Sequence, residues 1–409
     1  MPLFRRFEPC RLLAAVPLLL LVATAGCRRL SFPDVPAGYR EFAYVSNSAS
    51  NTVSVLDLVY LRQDRTLRVG ADPSGMAVNP VRDEVYVVNT QSGSVSIIDT
   101  NKNDVVATIP VGRLPYAISV DPAGRRAYVA NSGSNNVSVI DLGQRRVLAV
   151  AGAGEEPGLA RIAPNMRSLV VTNRGSGSIS IFDVAAEDAT NADSTPLRLR
   201  STFTGCPGAT DAAILPDSSK VFVACSSGHQ VMAVGLAMDP ASWAVKHDSS
   251  LATDRMLTFL AVGATPVHLA LKPDGGEIFV SNFNSDSISE IDTTHNEVGG
   301  TYMIGKNPVR GIVSGDNGRL FVSNFGADSI GIYSIDDGKL EGSVHSGFAP
   351  DALAFSADEH LLLAADAHSG DVAVLRTQST NPQGAALFTI LPAGGSPNSI
   401  VVKAMQGKK

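Results

Sequence analysis

The sequence predicts an all-β fold, an eight-bladed β-propeller built from four-stranded antiparallel blades. A strand ending of the type Tyr128-Val-Ala-Asn131 recurs along the chain. The recurrences start at Tyr44, Tyr86, Tyr128, Val170, Phe222, Phe279, Phe321 and Leu363, with steps of 42, 42, 42, 52, 57, 42 and 42 residues. A regular period of this size is typical of propellers and solenoids.

A Gly-x-x-Pro turn allows the blades to be counted a second time. It occurs at Gly70–Pro73, Gly112–Pro115, Gly154–Pro157, Gly263–Pro266, Gly305–Pro308, Gly347–Pro350 and Gly394–Pro397, and one residue shorter at Gly205–Pro207. Both counts give eight. Each unit holds four short alternating segments bounded by turn residues, which is the pattern of a propeller blade. A seven-bladed ring with one irregular unit is the alternative.

The phase of the repeat predicts how the ring closes. The chain begins at a second strand, Phe42–Asn47, and ends with a first strand, Asn398–Val402, that lacks a partner in its own unit. We expect Ser399–Lys403 to lie beside Glu41–Ser46, because this pairing removes open sheet edges. The propeller is then residues 41–404, followed by a tail, 405–409.

The amino terminus has the pattern of an export signal. A basic start precedes the apolar run Leu12–Val22, and Thr24-Ala-Gly-Cys27 resembles a bacterial lipobox. We therefore predict a signal peptide over 1–26, lipidation of Cys27 and a tether over 27–40. By family analogy, Arg28 favours an outer-membrane lipoprotein that faces the periplasm or the cell surface. An ordinary cleaved signal with an incidental Cys27 is the alternative.

The charge balance bears on partners. Loss of residues 1–26 removes three of the 33 basic residues and one of the 39 acidic residues, leaving 30 and 38, a net charge of −8. No basic run remains, so a nucleic acid is not an expected partner. We expect a monomer without a metal or cofactor, held at a membrane by its lipid, with an unknown protein or small molecule as its ligand.

Two cysteines remain after Cys10 and Cys27, and both belong to the fifth unit. Pairing Leu215 with Val221 would bring Asp211 opposite Cys225 and place Cys206 a few residues away at the same end. Because an exported chain meets oxidising conditions, we predict a disulfide between Cys206 and Cys225. Two buried free thiols are the alternative.

The repeated motifs resemble a known family. Tyr-Val-x-Asn, followed by Asn-x-Val-Ser-Val-Ile-Asp in the unit at Tyr128, is similar to the YVTN β-propeller repeat of bacterial and archaeal exported proteins. The resemblance covers roughly residues 40–403 and implies relatives among surface-layer propellers and, more distantly, quinoprotein and haem-carrying propellers. We interpret the recurrent strand-end Asn and Asp residues as architectural, because such side chains bond to the backbone of the following turn.

Function is expected where a blade departs from the repeat. After the prolines most residues are small or apolar, but three consecutive blades carry His268, Arg310 and Asp351, and the loops of these blades carry Phe283, Phe325 and His368. These groups at the channel mouth would suit an anionic or aromatic small ligand. The alternative is that they are solvated rim residues and that the phenylalanines pack between blades.

Two lengthened connections are the second departure. They span Ala185–Pro196 and Leu236–Arg255, on the face opposite the Gly-x-x-Pro turns, and the latter holds Trp243, the only tryptophan, and His247. Long additions on one face of a propeller often contact other molecules, so Trp243 and His247 are predicted to bind a partner. Tolerated loop growth is the alternative.

The sequence favours a non-enzymatic role. It contains no nucleophile elbow, phosphate-binding loop, paired-histidine zinc motif or haem-attachment motif. We therefore expect a membrane-anchored binding or scaffolding protein that acts through its channel mouth or its inserted loops. The alternative is an enzyme, either a lactonase-like hydrolase or a propeller associated with a quinone or haem.

Overall fold

A computed structural model describes residues 36–185, 196–239, 245, 247–377 and 385–405. The predicted signal peptide, Cys27 and Trp243 lie outside the described residues. No helix in the described part of the chain has the length and apolar character needed to cross a membrane.

The described chain forms eight four-stranded antiparallel sheets, so the fold is an eight-bladed β-propeller. Blade 1 contains the first three strands of the described chain. The strands of blades 1 to 4 are β1 (Arg40–Asn47), β2 (Thr52–Asp57) and β3 (Arg62–Arg68); β4 (Pro73–Val78), β5 (Glu84–Asn89), β6 (Ser94–Asp99) and β7 (Asp104–Pro110); β8 (Pro115–Val120), β9 (Arg126–Asn131), β10 (Asn136–Asp141) and β11 (Arg146–Gly152); β12 (Pro157–Ile162), β13 (Ser168–Asn173), β14 (Ser178–Val184) and β15 (Leu197–Thr204).

Blades 5 to 8 follow in chain order. Their strands are β16 (Ala209–Ile214), β17 (Lys220–Cys225), β18 (Gln230–Gly235) and β19 (Arg255–Ala261); β20 (Pro266–Leu271), β21 (Glu277–Asn282), β22 (Ser287–Asp292) and β23 (Glu297–Met303); β24 (Pro308–Val313), β25 (Arg319–Asn324), β26 (Ser329–Ser334) and β27 (Lys339–His345); β28 (Pro350–Phe355), β29 (Leu361–Asp366), β30 (Asp371–Arg376) and β31 (Ala386–Pro392). Single 3₁₀ turns occur at Ser132–Ser134, Ser249–Ala252, Phe283–Ser285 and Phe325–Ala327.

The last strand, β32 (Pro397–Met405), completes blade 1. It pairs antiparallel with β1, with Ser399 opposite Ser46 and Lys403 opposite Phe42. This is the predicted closure, and the seven-bladed alternative is wrong. The first strand of every blade, β32 in blade 1, is therefore the innermost strand, and the fourth is the outermost.

The hydrophobic core lies between neighbouring blades. The second and third strands are almost fully buried, whereas the residues of the fourth strands are mostly exposed or half-buried. Tyr44 and Val55 of blade 1, for example, pack with Val87 and Ile98 of blade 2. Because each blade is covered on both faces by its neighbours, its middle strands read as continuous apolar runs.

In blades 1 to 4 the recurrent strand-end Asn ties the blade to the turn before its innermost strand. The Oδ1 atom of Asn131 accepts the N–H of Gly112, and its Nδ2 donates to Asn136 Oδ1 and Ser138 Oγ. Asn89 and Asn173 make the same bonds, with Ser hydroxyls as acceptors. These side chains are fully buried and bonded, which supports their architectural interpretation.

Blade 8 replaces this Asn by Asp366. A carboxylate cannot donate, and the residue five positions later is another acid, Asp371. Asp366 is fully buried, and no hydrogen bond of good geometry reaches either of its oxygens within the described chain. Burial raises the pKa of Asp366 to about 7, opposed by the Gly347 N–H and Ser346 and aided by the charge of Asp371.

Replacing Asp366 by Asn should stabilise the propeller at alkaline pH. A raised pKa means that the folded state holds an extra proton, so the Asp366 chain loses stability as pH rises from about 4 to about 7. The Asn side chain can donate to Asp371 as Asn131 donates to Asn136. We expect D366N to raise the free energy of unfolding at pH 8 by about 2–4 kcal/mol, measured by chemical denaturation.

The reciprocal variant N131D is the control, because it places a carboxylate in the same buried position of blade 3. It should lower stability at pH 8 and restore stability in acid. An unchanged pH dependence in D366N would contradict the assignment of the raised pKa to this residue.

The predicted disulfide between Cys206 and Cys225 is present, with the two Cα atoms 4.8 Å apart. Cys225 occupies the position of the strand-end Asn, so a covalent bond replaces its hydrogen bonds in blade 5. The register predicted for this hairpin was wrong by one residue near the turn, where Ile214 and not Leu215 lies opposite Val221. It was wrong by two residues at the other end, where Ala209 and not Asp211 lies opposite Cys225, because a bulge between Ala209 and Ala212 adds one more. The disulfide is compatible with export to an oxidising compartment.

Candidate functional site

The innermost strands carry a bulge near their first residue. In β24, Pro308 lies opposite Asn324 and Arg310 lies opposite Ser323, so Val309 has no partner in the ladder. Similar shifts occur in β8, β12, β16, β20, β28 and β4, and in β32 against β1. A bulge re-aims side chains. As a result, consecutive residues after the proline reach the central channel.

These residues line a cavity of about 520 Å³ at the channel mouth. Every innermost strand contributes to it, which places the cavity on the propeller axis. The residues that follow the first position of each innermost strand are all part of its lining: Ser74, Tyr116, Gly158, Thr210, Val267, Val309, Asp351 and Asn398.

Five consecutive blades, 4 to 8, each place one charged or titratable side chain on the innermost strand: Arg161, Asp211, His268, Arg310 and Asp351. We call this set the charged arc. The corresponding residues of blades 1 to 3 include Ser74, Gly75, Ala117 and Ser399, which carry no charge. The mouth is therefore charged on one side and uncharged on the other, where Tyr116 and Met76 also line it.

Three members of the charged arc were predicted from the sequence, and Asp211 and Arg161 were missed. Arg161 lies two positions deeper than His268 and Arg310 along its strand, and Asp211 was assigned to the disulfide hairpin. Arg161 and Asp211 could have been identified from the sequence as charged residues within innermost strands whose other residues are small or apolar.

Asp211 is the buried centre of the arc. Its carboxylate accepts the N–H of Leu269 at 3.0 Å and that of Ala212 at 2.9 Å. It also lies 3.5 Å from the Arg161 guanidinium and 3.7 Å from His268 Nε2. Burial opposes ionisation, but His268, Arg161 and the Leu269 N–H outweigh it and hold the pKa of Asp211 below its usual value. Asp211 is therefore a fixed negative charge.

His268 is held neutral. Burial, aided by the charges of Arg310 and Arg161 and opposed by Asp211, lowers the pKa of His268 to about 4. Its Nδ1 accepts the backbone N–H of Gly311 at 3.2 Å, so the proton of the neutral ring resides on Nε2, the atom that faces Asp211. The ring has no lone pair left for a ligand.

Arg310 is the exposed cation of the arc. Its side chain projects into the 520 Å³ cavity. Within the described chain, its guanidinium has no ion pair and no hydrogen bond. Asp351 lines the same cavity, and burial raises its pKa, although Arg310 partly offsets this effect. The charged arc thus holds the accessible guanidinium of Arg310 beside the Asp351 carboxyl group, which resists ionisation.

The aromatic residues predicted at the mouth lie at its rim. Phe283 and Phe325 begin 3₁₀ turns after β21 and β25, and the Phe325 and His368 rings meet edge to face with centroids 5.3 Å apart. Phe348 is largely exposed. Phe283, Phe325 and His368 do not line the 520 Å³ cavity. These three residues belong to turns that follow the second strands, whereas Arg310 and Asp351 belong to the innermost strands that line this cavity.

The described ends of the two lengthened connections lie on the face opposite the Gly-x-x-Pro turns, and residues 186–195 and 240–244 lie outside the described residues. An ion pair joins their bases: Arg200 binds the Asp254 carboxylate through Nε at 2.8 Å and Nη2 at 2.7 Å, and Asp254 is completely buried. A groove of about 820 Å³ beside it is lined by residues that include Arg167 and Asp239, themselves an ion pair at 2.8 Å. His247 is exposed and does not line this groove.

Comparison with known proteins shows the fold alone. No protein-family model matches the sequence, and no curated protein matches it. Solved structures do match. Dihydro-heme d1 dehydrogenase NirN, in complex with DHE, is 16% identical over 90% of this chain and 76% of that chain, with a TM-score of 0.71.

Two further structures cover most of the propeller. Hydrazine synthase of Kuenenia stuttgartiensis is 20% identical over 82% of this chain and 92% of that chain, with a TM-score of 0.54. A candidate 6-phosphogluconolactonase from Bacteroides fragilis is 17% identical over 77% of this chain and 98% of that chain, with a TM-score of 0.58. At these identities the likeness extends to the β-propeller and not to an activity.

The state of His268 can be tested by NMR of histidine-labelled protein, with H268Q to assign the resonance. We expect a titration midpoint near pH 4 and a neutral tautomer with its proton on Nε2, because burial disfavours the imidazolium and Gly311 occupies Nδ1. A midpoint near the ordinary value of about 6.5 would contradict the described environment.

Proposed function

We propose that this protein is an exported, non-enzymatic binding propeller that holds a small anionic ligand at its channel mouth. The exposed and unpaired Arg310 guanidinium in the 520 Å³ cavity carries the proposal. A guanidinium presents several N–H donors in a fixed plane that matches carboxylate or phosphate oxygens. The cavity volume falls within the range of small-molecule sites.

The charge pattern supports an anion over a cation. Arg161 is already engaged with Asp211, so these two charges largely offset each other. Asp351 resists ionisation because it is buried. Arg310 is then the charge that remains for a ligand, and His268 is neutral near pH 7.

The arrangement of His268 favours binding over hydrolysis. A hydrolase of the lactonase type would need a base with a free lone pair near the ligand. The Nδ1 lone pair of His268 is used by Gly311, and Nε2 faces Asp211. The residues of the arc therefore fit a positioning role better than a catalytic one.

The family and the location belong to the same proposal. The in-register repeat supports membership of the YVTN propellers, and the Thr24–Cys27 segment supports a lipid anchor on Cys27 in the outer membrane.

Incorporation of a labelled fatty acid tests the anchor. If the anchor is correct, labelled palmitate will be incorporated into the wild-type protein and not into C27S. Equal labelling of both, or no labelling of the wild-type protein, would refute it.

Substitution of Arg310 tests the binding site directly. Benzoate and its neutral analogue benzamide serve as probes in isothermal titration calorimetry. We expect benzoate to bind more tightly than benzamide, and R310Q to weaken benzoate binding about 10- to 100-fold, because a charge-assisted hydrogen bond is lost.

Arg174 provides the matched control. It lines the same cavity but is exposed at the rim and lies 3.8 Å from Glu156. R174Q should change benzoate affinity by less than about threefold, since exposed ion pairs contribute little. Equal effects of R310Q and R174Q would mean that benzoate responds to general charge and not to a site at Arg310.

The binding of benzoate should also depend on Asp351. As pH rises through the elevated pKa of Asp351, its carboxylate becomes charged and competes with the anion for Arg310. We expect benzoate affinity to fall about three- to tenfold as pH rises through the ionisation of Asp351, which burial places above the ordinary range of an aspartate. The pKa values of His268 and Asp211 are lowered, so neither group titrates near neutral pH, and D351N should abolish the decline. A decline that persists in D351N would assign it to another group.

A further inference from the structure

A second cavity, of about 340 Å³, lies further along the channel wall. It is lined by the innermost strands of blades 4 to 7. Apart from Arg161 and His268, the lining residues are apolar or glycine, among them Ile162, Leu269 and Ile312. The ring of His268 has its nitrogens engaged, so this cavity offers few unsatisfied polar groups to a ligand.

The two cavities are stacked along the same strands. Arg161 lines both. In β24, Arg310 lines the first cavity and the next residue, Gly311, lines the second; in β20, Val267 lines the first and His268 the second. The polar mouth with the Arg310 guanidinium therefore leads directly to an apolar section of the channel.

We propose that the ligand is an amphipathic monocarboxylate, with its carboxylate at Arg310 and its alkyl or aryl part in the apolar cavity. This inference rests on the proposed function, since it uses the same anion site. An anion without an apolar part would leave the half-buried side chains of Leu271 and Ile312 facing water. Burial of apolar ligand surface against these side chains adds affinity that the arginine alone does not supply.

The apolar lining of the second cavity separates this class from di- and tricarboxylates. A ligand that extends from Arg310 along the strands reaches Ile162, Ile312 and their apolar neighbours. A second negative charge on the ligand would have to be buried there, which is costly without a partner. Arg161 lines this cavity but is already engaged with Asp211. A ligand with one charged end and one apolar end therefore matches both cavities.

A chain-length series tests the inference on the mature protein carrying C27A to keep it in solution. Straight-chain carboxylates from acetate to decanoate, the corresponding primary alcohols and citrate are titrated calorimetrically. We expect affinity to rise about three- to fourfold per methylene until the cavity is full. The alcohols and citrate should bind more weakly than a carboxylate of the same length.

Two variants test where the apolar part of the ligand binds. I312T changes a residue that lines the second cavity, and V401T makes a similar change at the equivalent position of β32, which does not line it. I312T should lower decanoate affinity severalfold and leave acetate unchanged, whereas V401T should alter neither. If a variant folds poorly, the chain-length series on the protein with its native Ile312 and Val401 still tests the inference.

The outcomes are separable. If benzoate or acetate binds in an Arg310-dependent manner but affinity does not grow with chain length, or citrate binds as tightly as octanoate, the inference is overturned and the proposed function stands. If no carboxylate binds in a manner that R310Q abolishes, both are overturned. Growth with chain length that I312T reduces and V401T does not supports the inference.

Discussion

The antiparallel pairing of β1 with β32 closes the ring, and the position of every innermost strand depends on it. The pairing runs from Arg40 opposite Met405 to Asn47 opposite Pro397. Beyond the ladder, Lys403 donates to the carbonyls of Asn79 and Arg82 in the next blade. Each blade is stabilised mainly by packing against its two neighbours, so a ring opened at blade 1 would expose apolar faces on both sides of the gap.

Closure also creates the candidate site. The eight innermost strands place equivalent positions around the axis. Residues that depart from the repeat in neighbouring blades therefore lie next to each other in the channel. The charged arc arises in this way from five blades that are remote in sequence, with Arg161 and Asp351 at its ends. The architecture and the candidate site then use different positions: buried strand-end Asn residues hold the turns, and the residues after the prolines face the channel.

The fold could be predicted because the period, the Gly-x-x-Pro turns and the phase of the first strand, near Phe42, are all local in sequence. The disulfide could be predicted because only Cys206 and Cys225 remain after the amino-terminal segment. The site was only partly predictable. Whether a side chain reaches the axis depends on the bulge in each innermost strand, which shifted the register of β16 and concealed Asp211. Phe325 and His368 share a face with the mouth, but their turns direct them to each other.

A cross-link between the paired termini tests the closed ring most directly. Ser46 and Ser399 lie opposite each other, so S46C/S399C should form an intramolecular disulfide under mild oxidation, detected by mass spectrometry of the linked peptides. S46C/V401C, displaced by two residues or about 7 Å along the strand, should not. Equal cross-linking of both pairs, or links only between molecules, would contradict a ring closed by β32 in this register.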